Sequence, residues 1–298
     1  MKLIECVPNF SEGRRQEVVQ EIVGAATAVS GIKLLDQSSD ASHNRSVVTF
    51  VGTPEAVKQA AFNAAEKAAE LIDMEKHSGE HPRIGATDVI PLIPISGVSM
   101  EECIALAREL GEEIGEKLEI PVYLYEDAAL SAERKNLAVV RRGEYEGLKE
   151  EIGEPERKPD FGPARLHPNA GATAVSARPP LIAYNINLDT ADLKIARKIA
   201  GSIRGSSGGY PSIKALGVLI EETGTAQVTI NVCNYHHVSL ARIFETVKSE
   251  AGRHGVGISS SEIVGLLPME ALLDAAAFYL RLHDFHPGQV LEKKLAET

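Results

Sequence analysis

Residues 180–232 of the 298-residue chain read PLIAYNINLDTADLKIARKIAGSIRGSSGGYPSIKALGVLIEETGTAQVTINV. Short apolar runs bounded by turn residues predict strands, and apolar residues recurring every three or four positions predict helices. Continued to residue 283, the pattern gives the order β-α-β-β-α-β and then one more helix. The predicted elements are strand 180–186, helix 189–204, strand 214–221, strand 226–232, helix 239–253, strand 257–264 and helix 269–283.

The first half of the chain predicts the same order plus one helix and one strand. The predicted strands are 3–7, 33–35, 47–51, 88–93 and 122–125, and the helices begin after Ser11, at Pro54 and at Ser99. The repetition predicts an α/β (α+β) fold of two ferredoxin-like βαββαβ subdomains, residues 1–178 and 179–298. We expect a ligand tunnel or groove where the two subdomains meet.

The composition is that of a globular protein and excludes several partners. With 31 Lys+Arg against 42 Asp+Glu, the net charge is −11, which opposes binding to nucleic acid or an anionic membrane. Cys6, Cys103 and Cys233 are far apart, so neither a disulfide framework nor a zinc knuckle is indicated. The first residues form no secretory signal, and no apolar run is long enough to span a membrane. We therefore expect a cytoplasmic enzyme or binding protein.

The loop of residues 76–88 concentrates the most reactive side chains. His77 and His81 have a spacing that suits a metal on a helix, but Gly79 and Pro82 disfavour a helix there. A solvated loop with incidental histidines is the alternative. A histidine titrates near neutral pH and can take and return a proton, and Pro82 restricts the backbone of His81. His81 is therefore the candidate proton-transfer residue.

Residues 144–178 contain charges, four prolines and several glycines with little periodicity, which predicts a linker or a functional loop. From residue 157 to 178 the cations outnumber the single acid, Asp160, and this excess suits an anionic small molecule. An ordinary charged linker between domains is the alternative. A second polar loop, 38–45, could hold a carboxylate through Arg45, although most such arginines are surface residues.

Three motifs carry a family resemblance: ECVPNFSEG at 5–13, GEHPRIGA at 79–86 and PDFGP at 159–163, extended by NINL at 185–188 and LLDAAAFY at 272–279. With them, nearly the whole chain resembles the formiminotransferase domain of the glutamate formimidoyltransferase family. The resemblance implies a transferase that moves the formimino group of N-formimino-L-glutamate to N5 of tetrahydrofolate, in histidine degradation and one-carbon metabolism. It also implies a homodimer, with folate between two α/β subdomains and no metal. Larger relatives add a cyclodeaminase domain, which we expect to be absent from this monofunctional form.

The resemblance places the catalytic histidine at His81. The folate-binding stretch is carried over to Gly162, Pro163, Ala164, Arg165, Leu166, His167, Pro168, Asn169, Ala170 and Gly171.

The chemistry needs a base for the N5 proton and an acid for the departing glutamate nitrogen, and one histidine can serve as both in turn. Five further residues are candidates for binding substrate or orienting the imidazole: Asn9, Asp36, Asp40, Arg45 and Arg83. Formyl transfer between 5-formyltetrahydrofolate and glutamate is an alternative on the same scaffold. A folate-binding protein without turnover and a metal-dependent hydrolase are the others.

Overall fold

The computed structural model describes residues 1–296 and contains two compact units, one over Met1–Pro179 and one that begins at Pro180. We call them the N-terminal and C-terminal units. Each has its own sheet, its own helices and its own apolar core. The expected mixed α/β fold with two subdomains is confirmed. Within the described residues, no helix is both long and apolar enough to cross a membrane.

The N-terminal unit contains helices and strands in alternation. The strands are β1 (Leu3–Cys6), β2 (Asn9–Phe10), β3 (Lys33–Asp40), β4 (Arg45–Gly52), β5 (Thr87–Ser96), β6 (Val122–Glu126) and β7 (Thr173–Ala177). The helices are α1 (Gln16–Thr27), α2 (Pro54–Leu71), α3 (Met100–Lys117), α4 (Leu137–Val140) and α5 (Glu144–Glu151).

The sheet of this unit is a βαββαβ sheet with a parallel extension. β1 and β2 are two pieces of one strand position, and each pairs antiparallel with both β4 and β5. β3 pairs with the other side of β4. Beyond β5, β7 and then β6 add in parallel. All five residues of β7 are buried, as expected for a parallel strand with neighbours on both sides.

Helices α1, α2 and α3 supply the apolar core on one face of this sheet. Thr53 caps α2 and Pro54 occupies its first turn, where the missing N–H costs nothing. The predicted cap of α3 is confirmed, because Ser99 and Glu102 form a capping box. Residues of α4 and α5 contribute to a second apolar cluster with Tyr123 and Tyr125 of β6.

The C-terminal unit repeats the βαββαβ order. Its elements are β8 (Ile182–Leu188), α6 (Leu193–Ile203), β9 (Ile213–Ile220), β10 (Thr225–Val232), α7 (Leu240–Arg253), β11 (Ile258–Val264), α8 (Met269–Leu280) and α9 (Leu291–Ala296). The strand order β11-β8-β10-β9 is antiparallel throughout. Alternate residues of β8 are buried, so one face of the sheet packs in a core with α6 and α7.

Two predictions about loops need correction. The strand predicted at 33–35 continues to Asp40, so the polar loop predicted at 38–45 begins only after that residue, because β3 is an edge strand whose side chains are largely exposed and so tolerates polar residues. Of the two readings of residues 144–178, the linker is wrong, since these residues include α5 and the buried strand β7 and belong to the N-terminal unit, while the functional loop stays a prediction. The sequence of β7, TAVSA, has small side chains and too weak a pattern to be recognised as a strand.

Candidate active site

The loop that carries His81 is fixed by backbone hydrogen bonds to the end of the 162–171 stretch. The N–H of Ala86 donates to the carbonyl of Ala170 at 2.8 Å, and the N–H of Ala172 donates to the carbonyl of Ile84 at 3.0 Å. These segments are more than 80 residues apart in the sequence. The fold therefore joins the predicted catalytic loop to the predicted folate-binding stretch.

Glycine makes this contact possible at both of its central positions. A Cβ atom on Gly85 would lie 1.9 Å from the carbonyl oxygen of Ala172. Gly171 has a φ of +69°, and a Cβ there would lie 2.6 Å from the carbonyl oxygen of Ile84. Any side chain at Gly85 would force the two backbones apart.

The ECVPNFSEG motif supports the same loop from a third direction. Ser11 donates from its hydroxyl to the carbonyl of Gly85 at 2.7 Å and from its N–H to the carbonyl of Ala86 at 2.9 Å. The buried Glu12 carboxylate accepts the N–H groups of Arg14 and Arg15, both at 2.9 Å, just before α1. The motif thus fixes the loop and the start of the first helix together.

Asn44 connects the motif to the histidine loop, and the sequence analysis assigned it no such role. It is buried, with a φ of 48° that asparagine tolerates better than most residues. Its side chain accepts the N–H of Gly13 at 3.0 Å and donates to the carbonyl of Ser78 at 3.0 Å. Its carbonyl lies 3.0 Å from Nε2 of His77. Asn44 is therefore a positioning residue for the loop.

His81 is half-buried, and its imidazole makes no hydrogen bond or ion pair with any residue in the described range 1–296. Burial is the largest cause that lowers the pKa of His81, and the charges of Arg45 and Arg141, then His43 and His77, act in the same direction; together they lower it to about 3. At neutral pH the ring is therefore uncharged, and at least one ring nitrogen can accept a proton.

His77 and Arg83 have structural partners. Arg83 donates through Nη1 and Nη2 to Glu146 at 2.8 and 2.7 Å and through Nη1 to Glu144 at 3.1 Å. Its Nε donates to Nδ1 of His77 at 3.2 Å, which leaves Nε2 of His77 as the donor to Asn44. These contacts tie the loop to α5 and occupy the guanidinium of Arg83.

A buried acid and two arginines lie near His81. The carboxylate of Asp88, 1% exposed, accepts the N–H of Ile84 at 3.0 Å and forms an ion pair with Arg141. Burial raises the pKa of Asp88, although Arg141 acts in the opposite direction. Arg45 is half-buried and forms no ion pair within the described part of the chain. Arg45 is among the residues expected from the sequence to bind substrate, whereas Arg141 is not, because its only signal is a pair of arginines after an apolar run.

The other expected substrate residues have local contacts. Asn9 donates to the carbonyl of Val7 at 3.1 Å. Asp40 accepts the N–H of His43 at 2.8 Å and lies 3.2 Å from its Nδ1. Asp36 lies in β3 opposite Thr49. None of the contacts found among the described residues joins Asp36 or Asp40 to the His81 imidazole.

The 162–171 stretch borders a cavity of about 510 Å³. Its lining residues are Lys117, Leu118, Glu119, Arg165, Leu166, His167 and Pro168. Nδ1 of His167 accepts the N–H of Ala170 at 3.0 Å, which orients the ring within the stretch. Gly162 has a φ of +78°, and a Cβ there would lie 2.7 Å from the carbonyl oxygen of Ile120. Arg157, one of the cations that outnumber the acid from residue 157 to 178, is buried, donates to backbone carbonyls and forms an ion pair with Glu151 at 3.3 Å.

Residues 3–178 match the formiminotransferase domain, N-terminal subdomain, and residues 183–293 match the formiminotransferase domain. The chain belongs to the formiminotransferase family. A protein of Streptococcus pyogenes serotype M1 named glutamate formimidoyltransferase is 50% identical over 295 residues, 99% of each chain. A protein of Thermoplasma acidophilum with the same name is 47% identical over 300 residues, 100% of this chain and 99% of that one.

Formimidoyltransferase-cyclodeaminase of Mus musculus is 45% identical over 284 residues, which cover 93% of this chain and 52% of that protein. The N-terminal match includes all of the residues described above around His81. Among residues 1–296, no group of three histidine, cysteine, aspartate or glutamate side chains is arranged to hold a metal ion.

The glycine contact gives a stability prediction for this formiminotransferase domain. Gly85→Ala puts a methyl group against the backbone of Ala172, so we expect the free energy of unfolding to fall by at least the ~1–3 kcal/mol of an overpacked core. The control is Gly24→Ala within α1, where a Cβ meets nothing within 4 Å and should stabilise by up to about 1 kcal/mol. Urea denaturation of both variants measures the effect. A Gly85→Ala protein as stable as wild type contradicts the assigned contact.

Proposed function

We propose that the chain transfers the formimino group of N-formimino-L-glutamate to N5 of tetrahydrofolate, giving 5-formimidoyltetrahydrofolate and L-glutamate, in histidine degradation and one-carbon metabolism. The observation that carries the proposal is the uncharged His81, without a hydrogen-bond partner among residues 1–296, on a loop hydrogen-bonded to the 162–171 stretch. It supports the proposal because the reaction needs one proton acceptor at the site of a bound folate. Two full-length relatives named glutamate formimidoyltransferase support it further.

In the proposed mechanism His81 moves one proton twice. The lone pair of N5 attacks the amidine carbon of the donor, and a tetrahedral intermediate forms. His81 takes the proton from N5. The bond from this carbon to the glutamate nitrogen then breaks, its electron pair stays on that nitrogen, and His81 returns the proton to it. A ring with a low pKa releases its proton readily, which suits the second transfer.

The proposed substrate contacts use side chains that are not already paired with other residues of the described part of the protein. Tetrahydrofolate is the co-substrate, bound along 162–171 beside the cavity of the N-terminal unit. Arg45 rather than Arg83 holds a donor carboxylate, because Glu144 and Glu146 already occupy the guanidinium of Arg83. Asp40 already contacts His43, so any influence of Asp40 on the substrate or on His81 passes through His43.

The direct test is turnover with tetrahydrofolate and N-formimino-L-glutamate, read as methenyltetrahydrofolate after acid treatment. A parallel reaction contains formylglutamate as the donor. We expect product from the formimino donor. Product from the formyl donor alone would replace the proposal with folate salvage, and folate binding without any product would indicate a binding protein.

Removing His81 should abolish most of the turnover. We expect His81→Asn to lower kcat by about 10²- to 10⁴-fold, the usual contribution of general acid–base catalysis, while folate binding measured by equilibrium dialysis stays the same. His254→Asn, at an exposed histidine of the C-terminal unit, is the control and should keep wild-type kcat. Turnover of His81→Asn within about tenfold of wild type would rule out the proton-transfer role.

We also propose that the protein works in the cytoplasm as a homodimer. Helix α8 supports the dimer, because Phe278, Tyr279 and Leu280 are 58%, 50% and 68% exposed. Apolar surface of this kind favours association with another protein surface.

Sedimentation velocity tests the dimer. Wild type is expected to sediment as a dimer and the double variant Phe278→Glu/Leu280→Glu as a monomer. Leu130→Glu, at a leucine of the N-terminal unit that is 57% exposed, is the control. A monomeric wild type contradicts the proposal.

A further inference from the structure

Two arginines near His81 share a single buried counter-ion. Arg141, with a side chain 16% exposed, forms an ion pair with Asp88, whose side chain is 2% exposed. Arg45 forms no hydrogen bond or ion pair through its side chain with any residue from 1 to 296. Burial lowers the pKa of Arg45, and the charge of Arg141 lowers it further, so the two guanidinium groups lie within electrostatic reach. The two arginines and Asp88 together therefore have a net charge of +1.

In each guanidinium group one buried donor atom lacks an acceptor within residues 1–296. The Nε atoms of Arg45 and Arg141 are buried and have no hydrogen-bond partner among the described residues. Asp40, the other acid that acts on Arg45, is exposed and engaged by His43. Buried donors without acceptors are rare and call for an explanation such as an anion. A carboxylate would supply both the acceptors and the missing charge.

The position of the two arginines is fixed relative to His81. Asp88 accepts the N–H of Ile84, three residues after His81, so the ion pair with Arg141 is attached to the histidine loop. Arg45 is the first residue of β4 and directly follows Asn44, which is bonded to the same loop through Ser78. An anion held by both arginines would therefore lie near the loop that carries His81.

We propose that Arg45 and Arg141 together bind one carboxylate group of the amino-acid donor, with Asp88 holding Arg141 in place. This subsite rests on the proposed function only for the identity of the donor. Arg45 provides the free guanidinium, and Arg141 completes the contact while it stays paired with Asp88. Asp88 itself is a positioning residue.

The subsite couples donor binding to proton transfer. The groups that face His81 with a positive charge or a titratable ring are Arg45 from β4, Arg141 after α4, His43 from the turn before β4 and His77 from its own loop. A bound carboxylate offsets the charge of the two arginines and so raises the pKa of His81. The imidazole then holds the N5 proton long enough to pass it to the departing nitrogen.

Glutarate is the probe, because it has the carboxylates of the donor and no formimino group. Its binding is measured by calorimetry on the intact protein, and the pKa of His81 is followed by NMR of the labelled imidazole. We expect Arg45→Gln and Arg141→Gln each to weaken glutarate binding by about tenfold or more, as loss of a charged hydrogen bond does. Arg142→Gln removes an exposed arginine next in the chain, paired with Glu151 at 3.4 Å, and should bind as wild type does.

The NMR titration separates a binding role from a structural one. In wild type, glutarate should raise the pKa of His81, whereas in Arg45→Gln the free protein should already have the higher value and glutarate should change it little. Arg45→Lys and Arg141→Lys keep the charge and should recover part of the binding, which covers the case that a glutamine variant does not fold. Equal glutarate affinity in Arg45→Gln, Arg141→Gln and Arg142→Gln overturns the subsite.

The glutarate experiment tests the subsite separately from the transfer assay, which tests the proposed function. Glutarate binding that needs both arginines, in a protein that transfers no formimino group, would keep the subsite and reject the proposed function. Formimino transfer that is unaffected by either arginine would keep the function and reject the subsite.

Discussion

The backbone contact between Gly85 and Gly171 is the constraint on which the candidate site depends. At this point two segments from distant parts of the N-terminal unit form a small antiparallel bridge with almost no space between them. The bridge sets the position of the His81 loop relative to the folate-binding stretch proposed here. Ser11 and Asn44 also form hydrogen bonds to this loop. The loop is therefore held by three independent sets of contacts. Such redundancy is what a preorganised proton-transfer group requires.

The protonation state of His81 is set by its burial and by the positively charged side chains around it. Burial makes the surroundings of His81 unfavourable for its charged form, and the charges of Arg45 and Arg141 add to this. The cost of an unbalanced arginine is acceptable in a site that takes an anionic substrate, because the substrate supplies the counter-charge. Arg83 illustrates the contrasting case, in which the glutamates of the protein itself neutralise the guanidinium and the role is structural.

Sequence patterns predicted the parts of the fold that depend on local periodicity. The βαββαβ order of both halves and the capped helix after Ser99 follow from apolar spacing and capping residues. β7 could not be recognised, because its small side chains become a buried strand only through pairing with β5 and β6. For the same reason the sequence of residues 144–178 allows a linker as well as a functional loop, and the structure excludes only the linker.

The site was predictable only in part. His81 stands out by its chemistry and by the restriction from Pro82, and Arg45 by its polar loop. The roles of Asn44, Asp88 and Arg141 depend on contacts between residues 31 to 53 positions apart, which no local pattern reveals. Conversely, Arg83 looked available in the sequence and is occupied in the structure.

A crystal structure with 5-formyltetrahydrofolate bound would show whether His81 and the 162–171 stretch form one folate site. We expect the folate to contact that stretch and its N5 to lie within about 3.5 Å of an imidazole nitrogen of His81, directly or through one water. A folate bound away from the stretch, or with N5 facing away from His81, would contradict this expectation.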